Sequence, residues 1–292
     1  MVQPTRRRSL EPAGRPGRPR DLTPADVRWL AWHEANSSAL FGRIVRDLGD
    51  AVLLHDETDR EPFWNRLAGI AWPTAPAAFD RRLTEAYGLF AGLDRIPHIW
   101  PAPGYDAPID LTERLLANGF VDHGGGLLLA LDPDRAVRAT PPAGPGVSIQ
   151  RYHRLSGRAA IDAAHAIANV LIAAFAVEPE RRVAIELEAV QGLTTDAYHA
   201  VVVWVDGQPA AVARRTTFAG STYLSSIGTD PQFRGTGLGR RVTAAVVGDA
   251  LAEQSRWTYL GVFEENAVAR ALYDSLGFVA IGPAAPDLLL RP

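Results

Sequence analysis

The chain contains no cysteine. A disulfide framework, a thiolate nucleophile and Cys-bound zinc or iron–sulfur sites are excluded with it. It contains no lysine either, so all 30 basic residues are arginine. That removes a Schiff base, a catalytic lysine and the lysine of a Walker-type phosphate loop. The seven histidines are scattered, and "HEAN" at His33 lacks the second histidine of H-E-x-x-H, so no metal is expected. Missing too is any apolar run near the roughly 18 residues of a membrane helix. The early arginines lead into "SLEPAGRPGRPR" rather than into a hydrophobic signal core. The expectation is a cytoplasmic protein with no membrane partner.

What remains is 292 residues, 47% of them hydrophobic, enough for about two domains with real cores. The net charge of −3 is uneven: residues 1–20 carry about +5, leaving about −8 for the rest. Pro, Gly and Arg dominate that start, which reads as a disordered, solvated tail, with docking to nucleic acid or another acidic partner as the other reading. "LDPDRAVRATPPAGPG", Leu131 to Gly146, gathers Pro, Gly and charge and reads as a linker. The organisation expected is a tail at 1–20, a first unit at 21–131, a linker at 132–146 and a second unit at 147–292.

In the second unit the pattern predicts a strand at "VSIQRYHRL" and one or two helices broken at Pro179. A hairpin about Asp206-Gly207 and a strand "STYLSSIGTD" come next. Apolar residues at helical spacing follow from Leu238 to about Gln254, then a strand "WTYLGVF", a short helix "AVARALYDSLGF" and a closing pair of strands. The first unit has a similar order: a helix from Pro24 to about Leu48, strands "AVLLH" and "LAGIAW", a helix "AFDRRLTEAYGLFAGL", a strand near "IPHIW" and a helix "LTERLLAN". "LLANGFVDHG" and "LYDSLGFVAIG" align on Gly-Phe-Val, with Gly119 opposite Gly277, and suggest an internal duplication.

Between predicted strand and predicted helix lies "FRGTGLGRR", Phe233 to Arg241. Such a junction offers free backbone N–H groups and the positive end of a helix dipole, an anion site that glycines leave open. Arg234, Arg240 and Arg241 would add charge at its rim. A dinucleotide fold fits poorly, because Arg240 stands where the third glycine of G-x-G-x-x-G belongs and the preceding strands form hairpins.

Read from Arg234 the loop is R-x-x-G-x-G, with Gly237 and Gly239. "IGTDPQFRGTGLGRRV" resembles the acyl-CoA-binding signature of the GNAT superfamily of N-acetyltransferases, departing from it at Thr229, where valine is commoner. "NAVARALYDSLGF", Asn266 to Phe278, resembles that family's second signature, N-x-x-A-x-x-L-Y-x-x-x-G-F. The resemblance covers about Val147 to Arg291. It implies two tandem GNAT-like domains of α/β (α+β) class, each a mixed, mostly antiparallel twisted sheet flanked by helices, with the first half degenerate. It implies that the backbone of Ser226, Ile227 and Thr229 pairs with a pantetheine arm. Arg234, Gly235, Gly237, Leu238, Gly239 and Arg240 would meet the pyrophosphate, and Asn266 the arm.

Tyr273, two helical turns after Asn266, then suits the acid that protonates the departing thiolate. For Asn266 a helix N-cap, and for Tyr273 a packing role, stay open. Candidates for the base are Glu264, then Glu265, with Ser225 and Ser226 also close enough in sequence to the cleft. The first unit departs from the pattern at every active position, with Leu115 opposite Tyr273 and Pro108 opposite Asn266. It is expected to bind no coenzyme A and to close the acceptor pocket, with Trp64, Trp72 and Trp100 as wall candidates.

The function implied is transfer of acetyl, or another short acyl group, from acetyl-CoA to the amine of a small molecule by direct attack in a ternary complex. Two other readings stay open: an aminoacyl-tRNA-dependent transferase, which would use tRNA as partner, and an acyl-CoA sensor without turnover. A monomer is favoured over a homodimer, since a duplicated chain supplies its own pseudo-dimer.

Overall fold

The computed structural model describes residues 16–137 and 144–290. It opens with α1 (Pro24–Ala39), started by a capping box in which Thr23 Oγ1 accepts from the Asp26 N–H and Asp26 accepts from the Thr23 N–H. The helix stops at Ala39 rather than near Leu48. After Gly42, at φ +89°, β-branched Ile44 and Val45 begin β1 (Ile44–Asp47). There follow β2 (Val52–His55), β3 (Arg66–Ala68), α2 (Pro76–Gly92), β4 (His98–Trp100), α3 (Leu111–Ala117) and β5 (Phe120–Asp122). In α2, Phe79, Leu83, Ala86 and Phe90 share one face and are buried.

The chain continues through β6 (Gly126–Leu131), β7 (Val147–Tyr152), α4 (Gly157–Phe175), α5 (Arg182–Leu193), β8 (Tyr198–Val205) and β9 (Gln208–Phe218). It ends with β10 (Ser221–Thr229), α6 (Leu238–Ala252), β11 (Trp257–Phe263), α7 (Ala267–Asp274), β12 (Phe278–Ala280) and β13 (Leu288–Leu290). Asp206 and Gly207 both take positive φ, the backbone that a tight hairpin needs. Two sheets form, ordered β1-β2-β3-β4-β13-β5 and β12-β6-β11-β10-β9-β8-β7. Each holds one parallel pair, β3–β4 and β10–β11, among antiparallel neighbours. The two halves therefore repeat one topology: Gly119 and Gly277 both turn with left-handed φ, and Phe120 and Phe278 after them are buried.

The repeats exchange a strand. β6 leaves the first half to lie between β11 and β12, and β13 returns from the end of the chain to lie between β4 and β5. The boundary expected at residue 131 is therefore displaced: the chain crosses into the second sheet at Gly126, and 288–290 belong to the first. An apolar run such as "GLLLAL" signals a strand without naming its sheet. The start of the chain is also ordered further back than expected. The Gly17 N–H donates to the Arg256 carbonyl at 2.7 Å and Arg18 pairs with Asp134 at 3.1 Å, so residues 16–20 lie on the second domain. Residues 1–15 of the basic tail lie outside the described residues.

α4, at 19 residues, is long and apolar enough by length and composition to cross a membrane, where the sequence reading finds no such stretch. Its eight buried residues, from Ala160 to Leu171, face the protein, while Arg158, Asp162 and His165 face outward, which is the pattern of a core helix.

The domains join through α1. His33 is fully buried, stacks on Phe218 at 4.0 Å, donates from Nε2 to the Phe218 carbonyl at 3.1 Å and lies 2.8 Å from the Tyr259 hydroxyl through Nδ1. Burial pushes its imidazole down to a pKa of about 4.

Candidate active site

The parallel pair β10–β11 holds register only from Ser221 to Tyr223, opposite Trp257 to Tyr259. Beyond Tyr223 the strands part. β10 stays paired to β9 on its other side, but the register slips between Ser225 and Gly228, a β-bulge whose Ser226 takes φ +49°. That left-handed conformation is strained for a residue with a Cβ. Arg214 on β9 steadies it by donating to Ser226 Oγ, and Arg214 itself pairs with Glu188 of α5 at 3.0 Å.

At the end of β10 the chain turns through Arg234–Gly237 into α6. Gly235 and Gly237 stand at φ +78° and +80°, and a Cβ on either would meet nothing within 4 Å, so the face beside them is open. Gly239 has ordinary backbone, but a Cβ there would come within 3.1 Å of Thr229 Oγ1. The first turn-closing bond of α6 runs from the Arg241 N–H to the Gly237 carbonyl at 3.0 Å. The amides from Gly235 to Arg240 therefore donate to no group among the described residues. Leu238 is buried in the core and ties the loop down. Such a nest with a helix dipole behind it fits a pyrophosphate.

The arginines take a different part from the rim charge expected of them. Arg234 donates to the carbonyls of Thr229 at 3.3 Å and Ala174 at 2.8 Å, stapling the loop to β10 and to the end of α4. Arg240 donates to the carbonyl and the hydroxyl of Ser275, just past α7. Ile227 is half-buried against the core of the second domain, and Thr229 closes β10 with its carbonyl on Arg234.

Asn266 caps α7, its side chain accepting from the Ala269 N–H at 3.1 Å. Tyr273 is 7% exposed and its ring packs on Phe278, while its hydroxyl bonds to no described group. Burial raises its phenol to a pKa of about 12, so it stays protonated at neutral pH: a proton donor, not a base. Glu264 and Glu265 sit exposed at the end of β11, and no described group holds the Glu264 carboxylate. Among the described residues no cluster of His, Asp and Glu could hold a metal ion.

Sequence reasoning missed two charged pairs that involve the first half. Glu34 on α1 pairs with buried Arg66 of β3 at 2.5 Å, and Arg43 lies 3.7 Å from Glu188 with its guanidinium 3.5 Å over the Trp64 ring. Trp64 and Trp100 are half-buried, whereas Trp72 is 2% exposed inside the first core and walls nothing. In the first half the turn after β3 leads into α2 without a side-chain cap or an R-x-x-G-x-G.

A turn of open amides thus follows the forked parallel pair, on a duplicated α/β scaffold. Residues 164–278 match the model of the acetyltransferase (GNAT) family. Solved structures with the same fold include a GCN5-related N-acetyltransferase from Kribbella flavida, at 22% identity and TM-score 0.64, covering 91% of this chain and 96% of that one. A tandem GNAT protein from the clavulanic acid biosynthesis pathway follows at 15% identity and TM-score 0.60, with 93% and 98% covered. A GCN5-related N-acetyltransferase from Sphaerobacter thermophilus matches at 14% identity and TM-score 0.57, with 95% of each chain covered. No curated protein matches.

Proposed function

We propose that the chain is an acyl-CoA-dependent N-acyltransferase that moves acetyl from acetyl-CoA to the amine of a small molecule. The observation that carries this reading is the run of amides from Gly235 to Arg240, free among the described residues and just past the strand that forks, with Tyr273 in the same core as Leu238 and its hydroxyl bonded to no described group. The amides of Gly235, Gly237, Leu238, Gly239 and Arg240 would hold the pyrophosphate, and the free edge of Ser226–Thr229 the pantetheine arm. Acetyl-CoA, when bound, supplies the acyl group as an activated thioester. Backbone N–H at the bulge of β10 would stabilise negative charge growing on the carbonyl oxygen. Tyr273 gives its proton to sulfur as the carbon–sulfur bond breaks and the carbon–nitrogen bond forms. It regains a proton from the newly acylated nitrogen, so the phenol ends as it began. The exchanged strands lie within one chain, which supports a monomer as the working unit.

Replacing Tyr273 with Phe tests the mechanism. Acetyl-CoA should bind as in wild type while thiol release with an amine acceptor falls about 100-fold or more. Equal turnover by the two proteins would remove Tyr273 from the chemistry.

A further inference from the structure

The first domain has no anion loop, yet it presents a carboxylate to the fork. Glu34 lies one helical turn after Leu30, whose carbonyl accepts from the Tyr259 hydroxyl at 3.0 Å. The rings of Tyr259 and Tyr223 stand 5.2 Å apart, and Tyr223 is the last residue of β10 still paired with β11. The face of α1 that joins the domains thus carries Glu34 toward the point where the strands separate. Glu34 Oε2 accepts from Arg66, which is 1% exposed and has its guanidinium 4.4 Å from the Trp100 ring and 4.5 Å from the Phe63 ring. A cation packed in this way fixes the carboxylate in place.

Glu34 Oε1, by contrast, accepts from no described group and is not among the enclosed polar atoms that lack a partner. It is an open acceptor. The Tyr223 phenol registers the same arrangement: burial pushes it well up, Glu34 and Tyr273 push it further, and Arg66 and Arg214 pull against them. Side chains from both domains therefore act on one hydroxyl. Half-buried Phe63 and Trp100, 5.5 Å apart and tilted, add apolar surface beside Glu34 and Arg66.

Resting on the acyl-transfer reading above, the geometry points to an acceptor site between the domains in which Glu34 receives the protonated amine and takes one of its protons. Phe63 and Trp100 would meet the body of the acceptor, so the substrate class is a primary ammonium on an apolar, aromatic carrier. The balance is simple: the ammonium gives a proton to Glu34, the neutral nitrogen attacks the thioester carbon, and Glu34 returns the proton to water. Arg66 is a positioning residue for Glu34.

The probe is 2-phenylethylamine, with 2-phenylethanol as its uncharged counterpart, each titrated into the full chain by calorimetry and assayed for thiol release with acetyl-CoA. Wild type should bind the amine about tenfold or more tighter than the alcohol. Glu34→Gln, which can keep a hydrogen bond to Arg66, should lower amine turnover about 100-fold or more and leave acetyl-CoA affinity within about twofold. Glu34→Asp should recover part of the loss. Wild type that binds the alcohol as well as the amine overturns the site without reference to any variant. Wild-type turnover by Glu34→Gln does so as well. Acetyl-CoA binding without thiol release from the amine overturns the substrate class. If wild type binds no acetyl-CoA, the acyl-transfer reading fails on its own, and the amine-against-alcohol comparison still decides the site.

Discussion

Cutting the chain at residue 144 should leave the second half without a strand in the middle of its own sheet. β6 lies between β11 and β12, facing Tyr259–Phe263 on one side and Phe278–Ala280 on the other. Leu129 and Leu131 are 6% and 5% exposed, and Leu127 packs against the same core. At about 1.5–3 kcal/mol for each buried aliphatic side chain, losing the three removes on the order of 5 kcal/mol before any ladder hydrogen bond is counted. A domain is stable by only about 5–15 kcal/mol. The assay is urea unfolding of residues 144–292 against the whole chain, followed by circular dichroism. The fragment should be unfolded or have a far lower midpoint, and a synthetic peptide of residues 124–133 should restore structure. Cooperative unfolding of the fragment at the full-length midpoint, without peptide, would refute the claim that the exchanged strand holds the second domain together.

Leu288→Ala probes the reciprocal strand: the side chain is fully buried, so the change should cost about 3–5 kcal/mol by urea melting, and less than 1 would contradict its place in the first core. Gly237→Ala should destabilise by about 1–2 kcal/mol because of its positive φ. Gly248→Ala, at an interior helical position with nothing within 4 Å of the added methyl, should stabilise by up to about 1 kcal/mol. The His33 imidazole, held near a pKa of about 4 against an unfolded value of 6.5, binds fewer protons folded than unfolded between those values. Its contribution to stability is therefore present above the unfolded value and is lost as pH falls, by roughly 2 kcal/mol between pH 7 and 5. Asp106, raised to about 7 by burial, acts in the opposite sense, so the quantity to measure is the difference between wild type and His33→Gln. A difference that does not change between pH 7 and 5 would contradict the assignment. Arg214→Met, which frees Ser226 and leaves Glu188 with Arg43 as its remaining partner, should lower kcat for acyl transfer about tenfold or more with a smaller change in the KM for acetyl-CoA. Equal effects on both would assign Arg214 to binding instead.

The glycine turn into α6 was legible because its glycines obey local rules. Gly235 and Gly237 need backbone that other residues adopt only under strain, and the helix after them follows from apolar spacing at Leu238, Val242 and Ala245. Asn266 as a cap and the turn at Asp206-Gly207 were legible for the same reason. The exchange of β6 and β13 was not, since an apolar strand looks the same whichever sheet receives it. Nor was the bulge at Ser226, where no glycine marks the positive φ and the compensating Arg214 lies 12 residues away on β9. Glu34 and Arg66 are 32 positions apart in a half with no motif, so nothing local in the sequence signals their pairing. Arg234 misled for a related reason: its spacing suits a phosphate rim, but nearby carbonyls at Thr229 and Ala174 claim its guanidinium.

The most direct test of the central claim is calorimetric titration of acetyl-CoA into wild type, Gly237→Ala and Gly237→Glu. Alanine shares the backbone strain of the glutamate variant without its charge. Binding by wild type, weaker binding by the alanine variant and none by a folded glutamate variant are what the amide nest predicts. Unchanged binding by Gly237→Glu, or none by folded wild type, would contradict it.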